Sequence, residues 1–126
     1  MIRVLVVDDH PVLRAGLEAV LRTEPGFVCV GTAADGHELR AAMGQTRPDV
    51  VLLDWRLGDE DGLALCRTLR GGPAPPEVVL YTATADPGLD GQAQAAGAHA
   101  VVEKSADIDD LFDTLRLAAR GGRRAA

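Results

Sequence analysis

The stretch VVLLDWRL, residues 50–57, carries the strongest indication of how this chain folds. Its first four residues are apolar with no polar alternation, which is typical of a strand that is buried on both faces. Such strands belong to parallel sheets covered by helices, in which ligands bind beyond the carboxyl ends of the strands. Asp54 stands where this apolar run ends. An aspartate there can also simply begin a turn, so the rest of the chain has to separate the two interpretations.

Strand and helix patterns alternate along the whole chain, from a first strand at Ile2–Val7 to a last helix that begins near Asp107. This alternation predicts an α/β fold, in which a five-stranded parallel sheet has helices on both faces and right-handed crossovers. Gly88 and Gly91 lie in the segment that precedes the fifth strand, and they predict the weakest helix there. Gly121 is expected to cap the last helix.

Length and composition restrict the possible classes of protein. A chain of 126 residues fits one compact domain, for which we expect the range 1–120, followed by a linker or frayed tail at 121–126. A hydrophobic content of 47% excludes a disordered chain. The net charge of -6 argues against nucleic-acid binding by this segment. Acidity suits a site for a divalent cation, although solubility explains net charge alone equally well.

The cysteines and the N-terminus indicate a reducing, aqueous environment. Cys29 and Cys66 lie in apolar stretches without the spacing of metal ligands, so we expect two core residues and no disulfide. The N-terminal sequence MIRVLVVDD has an apolar run too short for a signal peptide or a membrane span. We therefore expect a cytoplasmic protein that does not bind a membrane.

Polar residues follow four of the five predicted strands. Asp8 and Asp9 follow the first strand, Asp54 the third, Thr82 the fourth and Lys104 the fifth. Because the carboxyl ends of parallel strands share one edge, these side chains should meet. Crowded carboxylates repel one another, and Mg²⁺ relieves that repulsion by taking oxygen ligands. The set therefore indicates phosphoryl transfer, with an aspartate nucleophile and with a hydroxyl and an ammonium that bind phosphoryl oxygens.

The same residues carry a resemblance to a known family. The runs VLVVDD at 4–9, DGL at 61–63, YTAT at 81–84 and GAHAVVEK at 97–104 resemble a receiver domain of the response regulators of two-component signalling. The segment DDHPVLRAGLEAVL at 8–21 resembles receivers that carry a C-terminal helix-turn-helix output domain. The resemblance implies a doubly wound, flavodoxin-like fold with the strand order 2-1-3-4-5.

The resemblance also implies roles for individual residues. Asp54 would be the phosphoacceptor, and the phosphohistidine of a histidine kinase would be the donor. Asp9 and Asp54 would hold Mg²⁺ directly, Asp8 would act through water, and the backbone carbonyl of Arg56 would complete the protein ligands.

Further positions of the family pattern concern the bound phosphoryl group and its effect. Thr82 and Lys104 would bind the phosphoryl group, while Arg56 and Thr84 occupy positions that modulate its lifetime. The domain would switch conformation or form a homodimer, through the face of the fourth and fifth helices or another face. The switch would control an output such as transcription, and the only catalysis would be the domain's own phosphorylation and dephosphorylation.

Three positions depart from the pattern of the family. Val101 replaces a common aromatic residue, which should reduce the coupling between Thr82 and the surface. Ser105 replaces a proline after Lys104, so we expect either a trans peptide bond or a strained cis bond, which costs about 2.5–4 kcal/mol without proline. Gly58 replaces a proline and is expected to loosen the loop after the third strand.

Simpler interpretations of the same residues remain open. Asp8 and Asp9 could cap the first helix, Lys104 could be a solvated charge, and Thr82 could be an ordinary strand residue. His10 follows the aspartate pair and can touch the edge of the site, whereas His37 and His99 are expected at the surface. None of the three has a partner that suggests a ligand or a base. Trp55 is expected to be a packing residue next to the site.

Two other functions compete with a phosphorylation switch. Phosphatases of the haloacid-dehalogenase type also use an aspartate nucleophile, Mg²⁺, a hydroxyl and a lysine. They place a second aspartate two residues after the nucleophile, where this chain has Arg56. The other competitor is a pseudo-receiver that binds partners without accepting phosphate, against which the complete acidic set argues.

Overall fold

The computed structural model describes residues 1–84 and 86–124, with the side chains of residues 122–124 left out of the description. Strands and helices alternate as the sequence predicts. The strands are β1 (Ile2–Val7), β2 (Phe27–Ala33), β3 (Val50–Asp54), β4 (Arg56–Leu57), β5 (Glu60–Asp61), β6 (Glu77–Thr82) and β7 (Ala100–Glu103). The helices are α1 (Pro11–Thr23), α2 (Gly36–Gln45), α3 (Gly62–Arg70), α4 (Leu89–Ala95) and α5 (Ile108–Arg124).

Five of the strands form one parallel sheet. Its order is β2-β1-β3-β6-β7, and each neighbouring pair runs parallel. Since β4 and β5 lie outside this sheet, the order corresponds to the predicted 2-1-3-4-5, and the predicted fold is confirmed. The central strand β3 is buried over its whole length, as its uninterrupted apolar sequence predicts.

Two hydrophobic cores cover the two faces of the sheet. Successive side chains of a strand point to opposite faces, so adjacent residues of β3 contribute to different cores. Leu53 belongs to the core that contains Leu63 of α3, together with residues of α2 and α4. Leu52 belongs to the core that contains Leu17 of α1 and Leu115 of α5. Helices therefore pack on both faces, as expected for a doubly wound sheet.

The segment after β3 is more ordered than its sequence indicates. Instead of a plain loop, β4 and β5 form a short antiparallel pair in which Arg56 lies opposite Asp61 and Leu57 opposite Glu60. Gly58 connects them with a positive φ of 59°, and its N–H donates to Asp9 Oδ2 at 2.9 Å. Whether Gly58 loosens this loop stays a prediction, but its N–H ties the loop to Asp9, and a proline would lack that N–H.

The weakest predicted helix is also the shortest one observed. The helix α4 has seven residues, and it begins after Gly88, whose φ of 90° favours glycine. Its buried residues are Leu89 and Ala93. Few large apolar side chains therefore attach this helix to the sheet.

The last helix extends further than predicted. Gly121 lies within α5, which continues to Arg124, so the prediction that Gly121 caps this helix is wrong. One turn earlier, Ala118 and Ala119 are buried against the sheet, and this packing offsets the low helix propensity of glycine. The boundary between domain and linker at residue 120 stays a prediction, and residues 125 and 126 lie outside the described residues.

The remaining predictions about the chain concern thiols and membranes. Cys66 is buried and Cys29 half-buried, and both are free thiols, as expected. No helix within residues 1–84 and 86–124 is long and apolar enough to cross a bilayer.

Candidate functional site

Three carboxylates meet at the carboxyl ends of β1 and β3. These strands are neighbours with Val7 opposite Leu53, so the residues that follow this pair along each strand, Asp8 and Asp54, lie side by side. Asp8 is 1% exposed and Asp54 is 5% exposed, while Asp9 is only partly covered. One ligand atom from each carboxylate lies within 4.8 Å of the others. The convergence that the strand ends predict is therefore observed.

Lys104 supplies the positive charge of the cluster. Its Nζ lies 3.1 Å from Asp54 Oδ2 and 3.2 Å from Asp8 Oδ2, and its side chain is only 15% exposed. Its backbone N–H donates to the carbonyl of Thr82 at 2.6 Å, which holds the end of β7 against β6. Burial acts to lower the pKa of Lys104, but Asp54 and Asp8 outweigh burial, so the pKa lies above its ordinary value. The interpretation of Lys104 as a solvated surface charge is therefore excluded.

Asp54 is a buried carboxylate whose partners compensate its charge only in part. Burial raises its pKa above the ordinary value, and the nearby Asp8 adds to this effect. The ammonium of Lys104 and the backbone N–H of Arg56, 3.2 Å from Asp54 Oδ1, act in the opposite direction without cancelling it. An additional cation at this place would favour the ionised carboxylate.

Asp8 and Asp9 each accept a hydrogen bond from a backbone N–H at one carboxylate oxygen, and the other oxygen of Asp8 lies 3.2 Å from Lys104 Nζ. Asp8 Oδ1 accepts from the N–H of His10 at 2.8 Å, and Asp9 Oδ2 accepts from Gly58. Asp8 Oδ2 and Asp9 Oδ1 are buried without an aligned hydrogen bond among the described residues. Since His10 is the N-cap of α1, neither aspartate has the capping role that the sequence leaves open. The carboxylate oxygens of Asp8, Asp9 and Asp54 are hard donors that fit a divalent cation.

His10 has partners that the sequence analysis missed. Its Nδ1 lies 2.9 Å from Asp8 Oδ1, 3.2 Å from Asp9 Oδ1 and 3.9 Å from Asp54 Oδ2. The prediction that this histidine has no partner is therefore wrong. Its place at the edge of the site agrees with its position directly after the aspartate pair. His37 and His99 are exposed, as predicted.

Thr82 reaches the site edge, but its hydroxyl is engaged elsewhere. The residue is 3% exposed. Its Oγ1 donates to the carbonyl of Thr84 at 3.0 Å and accepts from the N–H of Thr84 at 3.3 Å. Within the part of the chain that the structure describes, these are the only hydrogen bonds of this hydroxyl. The structure therefore brings Thr82 next to the ion cluster without joining it to the cluster.

The departures at positions 101 and 105 have clear structural outcomes. Val101 and Thr82 line a cavity of about 130 Å³, which also borders Leu89 and three acidic residues. No described peptide bond is cis, so the bond between Lys104 and Ser105 is trans, one of the two expected geometries. Whether the small side chain of Val101 reduces coupling stays a prediction.

Trp55 and Arg56 form the outer border of the site. Trp55 is half-buried and packs against the core, which confirms its predicted packing role. The guanidinium of Arg56 lies over its ring at 4.7 Å from the centroid. The role of the Arg56 carbonyl as a metal ligand stays a prediction.

Known proteins resemble this chain over nearly its whole length. The chain is 32% identical over 123 residues to the transcriptional regulatory protein YvfU of Bacillus subtilis, covering 98% of this chain and 62% of that protein. It is 31% identical over 121 residues to the transcriptional regulatory protein LiaR of the same organism, covering 96% of this chain and 57% of that protein. Over 131 residues it is 38% identical to a protein-glutamate methylesterase/protein-glutamine glutaminase of Agrobacterium fabrum, but it covers only 37% of that protein. The chain thus spans less than two thirds of the length of these relatives.

Solved structures and a family model give the same result. The signal receiver domain of the response regulator NarL from Mycobacterium tuberculosis superposes with a TM-score of 0.87 and 31% identity, covering 95% of this chain and 97% of that one. A LuxR-family two-component response regulator from an Aurantimonas species also has a TM-score of 0.87, with 29% identity over 94% of this chain and 85% of that one. The family model described as response regulator receiver domain matches residues 4–116. This match, on a sheet that brings three aspartates and a lysine to one edge, shows that the chain belongs to the receiver-domain family of two-component response regulators.

Proposed function

We propose that this receiver accepts a phosphoryl group on Asp54 from the phosphohistidine of a histidine kinase, with Mg²⁺ held by the acidic cluster. The observation that supports this most directly is the buried Asp54 carboxylate, which has Lys104 Nζ at 3.1 Å and two more aspartates beside it. A buried acid with a single cationic partner and raised pKa is a candidate functional group rather than a packing residue.

The transfer is a substitution at phosphorus. A carboxylate oxygen of Asp54 attacks the phosphorus atom, the bond from phosphorus to the donor's imidazole nitrogen breaks, and the histidine leaves as the neutral ring after taking a proton. The product is an acyl phosphate on Asp54. Lys104, which already contacts Asp54 Oδ2, stabilises the phosphoryl oxygens as negative charge accumulates.

The metal ion would be bound by the carboxylates of the acidic cluster and by one backbone carbonyl. Asp9 and Asp54 would ligate Mg²⁺ directly, Asp8 would ligate it through water, and the carbonyl of Arg56 would complete the protein ligands. When bound, the cation offsets the charge of the carboxylates and of the incoming phosphoryl group. The fit rests on the buried Asp9 Oδ1, which has no aligned hydrogen bond among the described residues, and on the backbone N–H groups that orient Asp8 and Asp9.

Thr82 would transmit the arrival of the phosphoryl group. To donate to a phosphoryl oxygen, its hydroxyl has to leave the carbonyl of Thr84, to which it donates at 3.0 Å. This exchange releases the backbone that leads into α4, the helix with the fewest anchoring side chains. Because Val101 is small and a cavity borders it, the rearrangement would be smaller than the swing of an aromatic residue.

The output of the switch would be self-association, conveyed to an output domain. Along α5, Asp110 and Asp113 are exposed in the first half, Arg120 is exposed in the second half, and Leu117 between them is 53% exposed. Two copies that pair antiparallel about Leu117 bring the acids of one helix near the arginine of the other. This supports a homodimer through the fifth helix. Control of transcription through an appended helix-turn-helix domain is part of the same proposal.

The test is incubation of the chain with Mg²⁺ and acetyl phosphate, followed by intact mass and sedimentation. The wild type should gain one phosphoryl group and shift toward a dimer, whereas Asp54→Ala should do neither. Asp59→Ala is the matched control, because Asp59 is an exposed acid of the neighbouring hairpin. An unmodified wild type that also fails to bind beryllofluoride contradicts the proposal.

The same sample separates a switch from a phosphatase. We expect stoichiometric labelling without repeated turnover of small phosphate esters, since catalysis is limited to the domain's own phosphorylation and dephosphorylation. The esterase activity of the Agrobacterium relative is not proposed for this chain. A cytoplasmic location stays a prediction.

A further inference from the structure

His10 has a ring nitrogen beside the acidic cluster that the proposed phosphoryl transfer does not use. Its Nδ1 approaches a carboxylate oxygen of Asp8 at 2.9 Å, of Asp9 at 3.2 Å and of Asp54 at 3.9 Å. One nitrogen carries at most one proton, and the hydrogen bond with Asp8 Oδ1 uses it, so the approaches to Asp9 and Asp54 are left without one. The arrangement suggests a common binding partner for His10, Asp9 and Asp54.

The separations agree with ligands that share one metal ion. Bonds from a metal to nitrogen or oxygen of about 2.0–2.2 Å place adjacent ligands about 3 Å apart and opposite ligands about 4 Å apart. The distances from His10 Nδ1 to Asp9 Oδ1 and Asp54 Oδ2, which belong to the two direct ligands of the proposed site, fall within this interval. Independently, the same Asp9 Oδ1 is buried without an aligned hydrogen bond among the described residues.

We propose that His10 is a nitrogen ligand of this site and that it makes the site favour first-row transition-metal dications, such as Co²⁺, Ni²⁺ and Zn²⁺, more than its oxygen ligands alone would. The inference rests on the metal-binding part of the proposed function and extends it to the choice of metal. Imidazole is a good ligand for these ions, whereas Mg²⁺ prefers oxygen. His10 therefore contributes to the binding of the transition metals and little to the binding of Mg²⁺.

The backbone of His10 makes substitution of its ring a clean experiment. Its N–H donates to Asp8 Oδ1 at 2.8 Å, and its carbonyl accepts from the N–H of Arg14 at 2.9 Å. Both contacts persist in His10→Ala. The ring itself is 67% exposed, so its removal leaves no core cavity.

The experiment compares metal-free wild type, His10→Ala and His37→Ala at one fixed pH. His37 is an exposed histidine of α2 outside the cluster, and it controls for adventitious histidine binding. Co²⁺ is titrated by its visible absorption, and Mg²⁺ by the fluorescence of Trp55. Electron spin-echo spectra of bound Mn²⁺ detect magnetic coupling between the metal and a ligand nitrogen. Thermal unfolding of each variant confirms that it is folded.

We expect His10→Ala to weaken Co²⁺ binding about tenfold and to change Mg²⁺ binding less than about twofold. The nitrogen coupling to Mn²⁺ should disappear in His10→Ala and persist in His37→Ala. An unchanged Co²⁺ affinity in His10→Ala overturns the inference, as does an equal loss for both metals. Tighter Mg²⁺ binding in His10→Ala also overturns it, because the ring would then compete with the cation. If neither metal binds the wild type, the metal site of the proposed function fails as well.

Discussion

The two sides of the site are built with unequal rigidity. On the acidic side, Asp8, Asp9 and Asp54 each accept a hydrogen bond from a backbone N–H, and Lys104 joins two of them. On the other side, the hydroxyl of Thr82 bonds only to the backbone two residues along, within the described part of the chain.

The surroundings of the two sides differ in the same way. The β4–β5 pair supports the acidic side, and Glu60 accepts a hydrogen bond from the N–H of Gly36 at 2.8 Å, which connects that pair to α2. The Thr82 side borders a cavity and the seven-residue α4.

This difference follows from charge. Three close carboxylates repel one another, so their positions have to be enforced by hydrogen bonds and a counter-charge. A neutral hydroxyl needs no such enforcement, which leaves the Thr82 side free to rearrange when a phosphoryl group arrives. The rigid side would bind and react, and the looser side would respond.

Removal of the counter-charge should produce the largest effect. In Lys104→Met, Asp8 and Asp54 lose their buried cationic partner, and we expect the free energy of unfolding to fall by about 3–5 kcal/mol in metal-free buffer at neutral pH. Urea denaturation measures this. Adding Asp54→Asn to the same chain should recover part of the loss, because one unpaired charge is then gone. If Lys104→Met lowers the free energy of unfolding by less than about 1 kcal/mol, water already solvates Asp8 and Asp54.

A methyl group at Gly62 tests how tightly the acidic side is packed. A Cβ there would lie 2.5 Å from the carbonyl oxygen of Asp54 and 2.7 Å from that of Trp55, so the backbone has to shift. We expect Gly62→Ala to lower the free energy of unfolding by about 2–3 kcal/mol, measured by urea denaturation. Gly91→Ala in α4 is the matched control. It meets no atom within 4 Å and should raise stability by up to about 1 kcal/mol. Equal changes in the free energy of unfolding for Gly62→Ala and Gly91→Ala would contradict the tight packing proposed for the acidic side.

The charge of Asp54 should make stability depend on pH. Because burial raises its pKa, the folded state holds the Asp54 proton more tightly than the unfolded chain does. The resulting stabilisation is fully present below the unfolded pKa and is lost as pH rises through the folded pKa.

In metal-free buffer, Asp54→Asn should therefore be more stable than the wild type at neutral pH. The difference in stability between Asp54→Asn and the wild type should disappear in acid, where Asp54 is protonated. At neutral pH, Mg²⁺ should reduce this difference. Thermal unfolding across pH measures the difference, and a difference that does not vary with pH would contradict this explanation.

Removal of the Thr82 hydroxyl should have the smallest effect on stability. Thr82→Val loses two local hydrogen bonds to Thr84, which is expected to cost about 1 kcal/mol or less. Its effect on the switch should be much clearer. With beryllofluoride bound, the amide resonance of Thr84 should shift in the wild type and in Thr82→Ser but not in Thr82→Val. A shift that persists in the valine variant would show that this hydroxyl does not transmit the change.

Much of the fold could be predicted because it depends on local patterns. The unbroken apolar run before Asp54 indicated a strand buried on both faces, and polar residues at strand ends indicated one shared edge. Gly121 shows the limit of such reasoning. Glycine often ends a helix, but here the packing of Ala118 and Ala119 against the sheet continues the helix past it.

The features of the site likewise fall into those that local patterns predict and those that depend on tertiary packing. By itself, the sequence determined the parallel sheet and the set of groups at its edge, because apolar periodicity and strand ends are properties of neighbouring residues. Only the tertiary structure decided that Gly58 ties the hairpin to Asp9 and that His10 stands beside Asp54. Side-chain directions and hydrogen bonds between segments far apart in the chain depend on how those segments pack, and no local pattern encodes that packing.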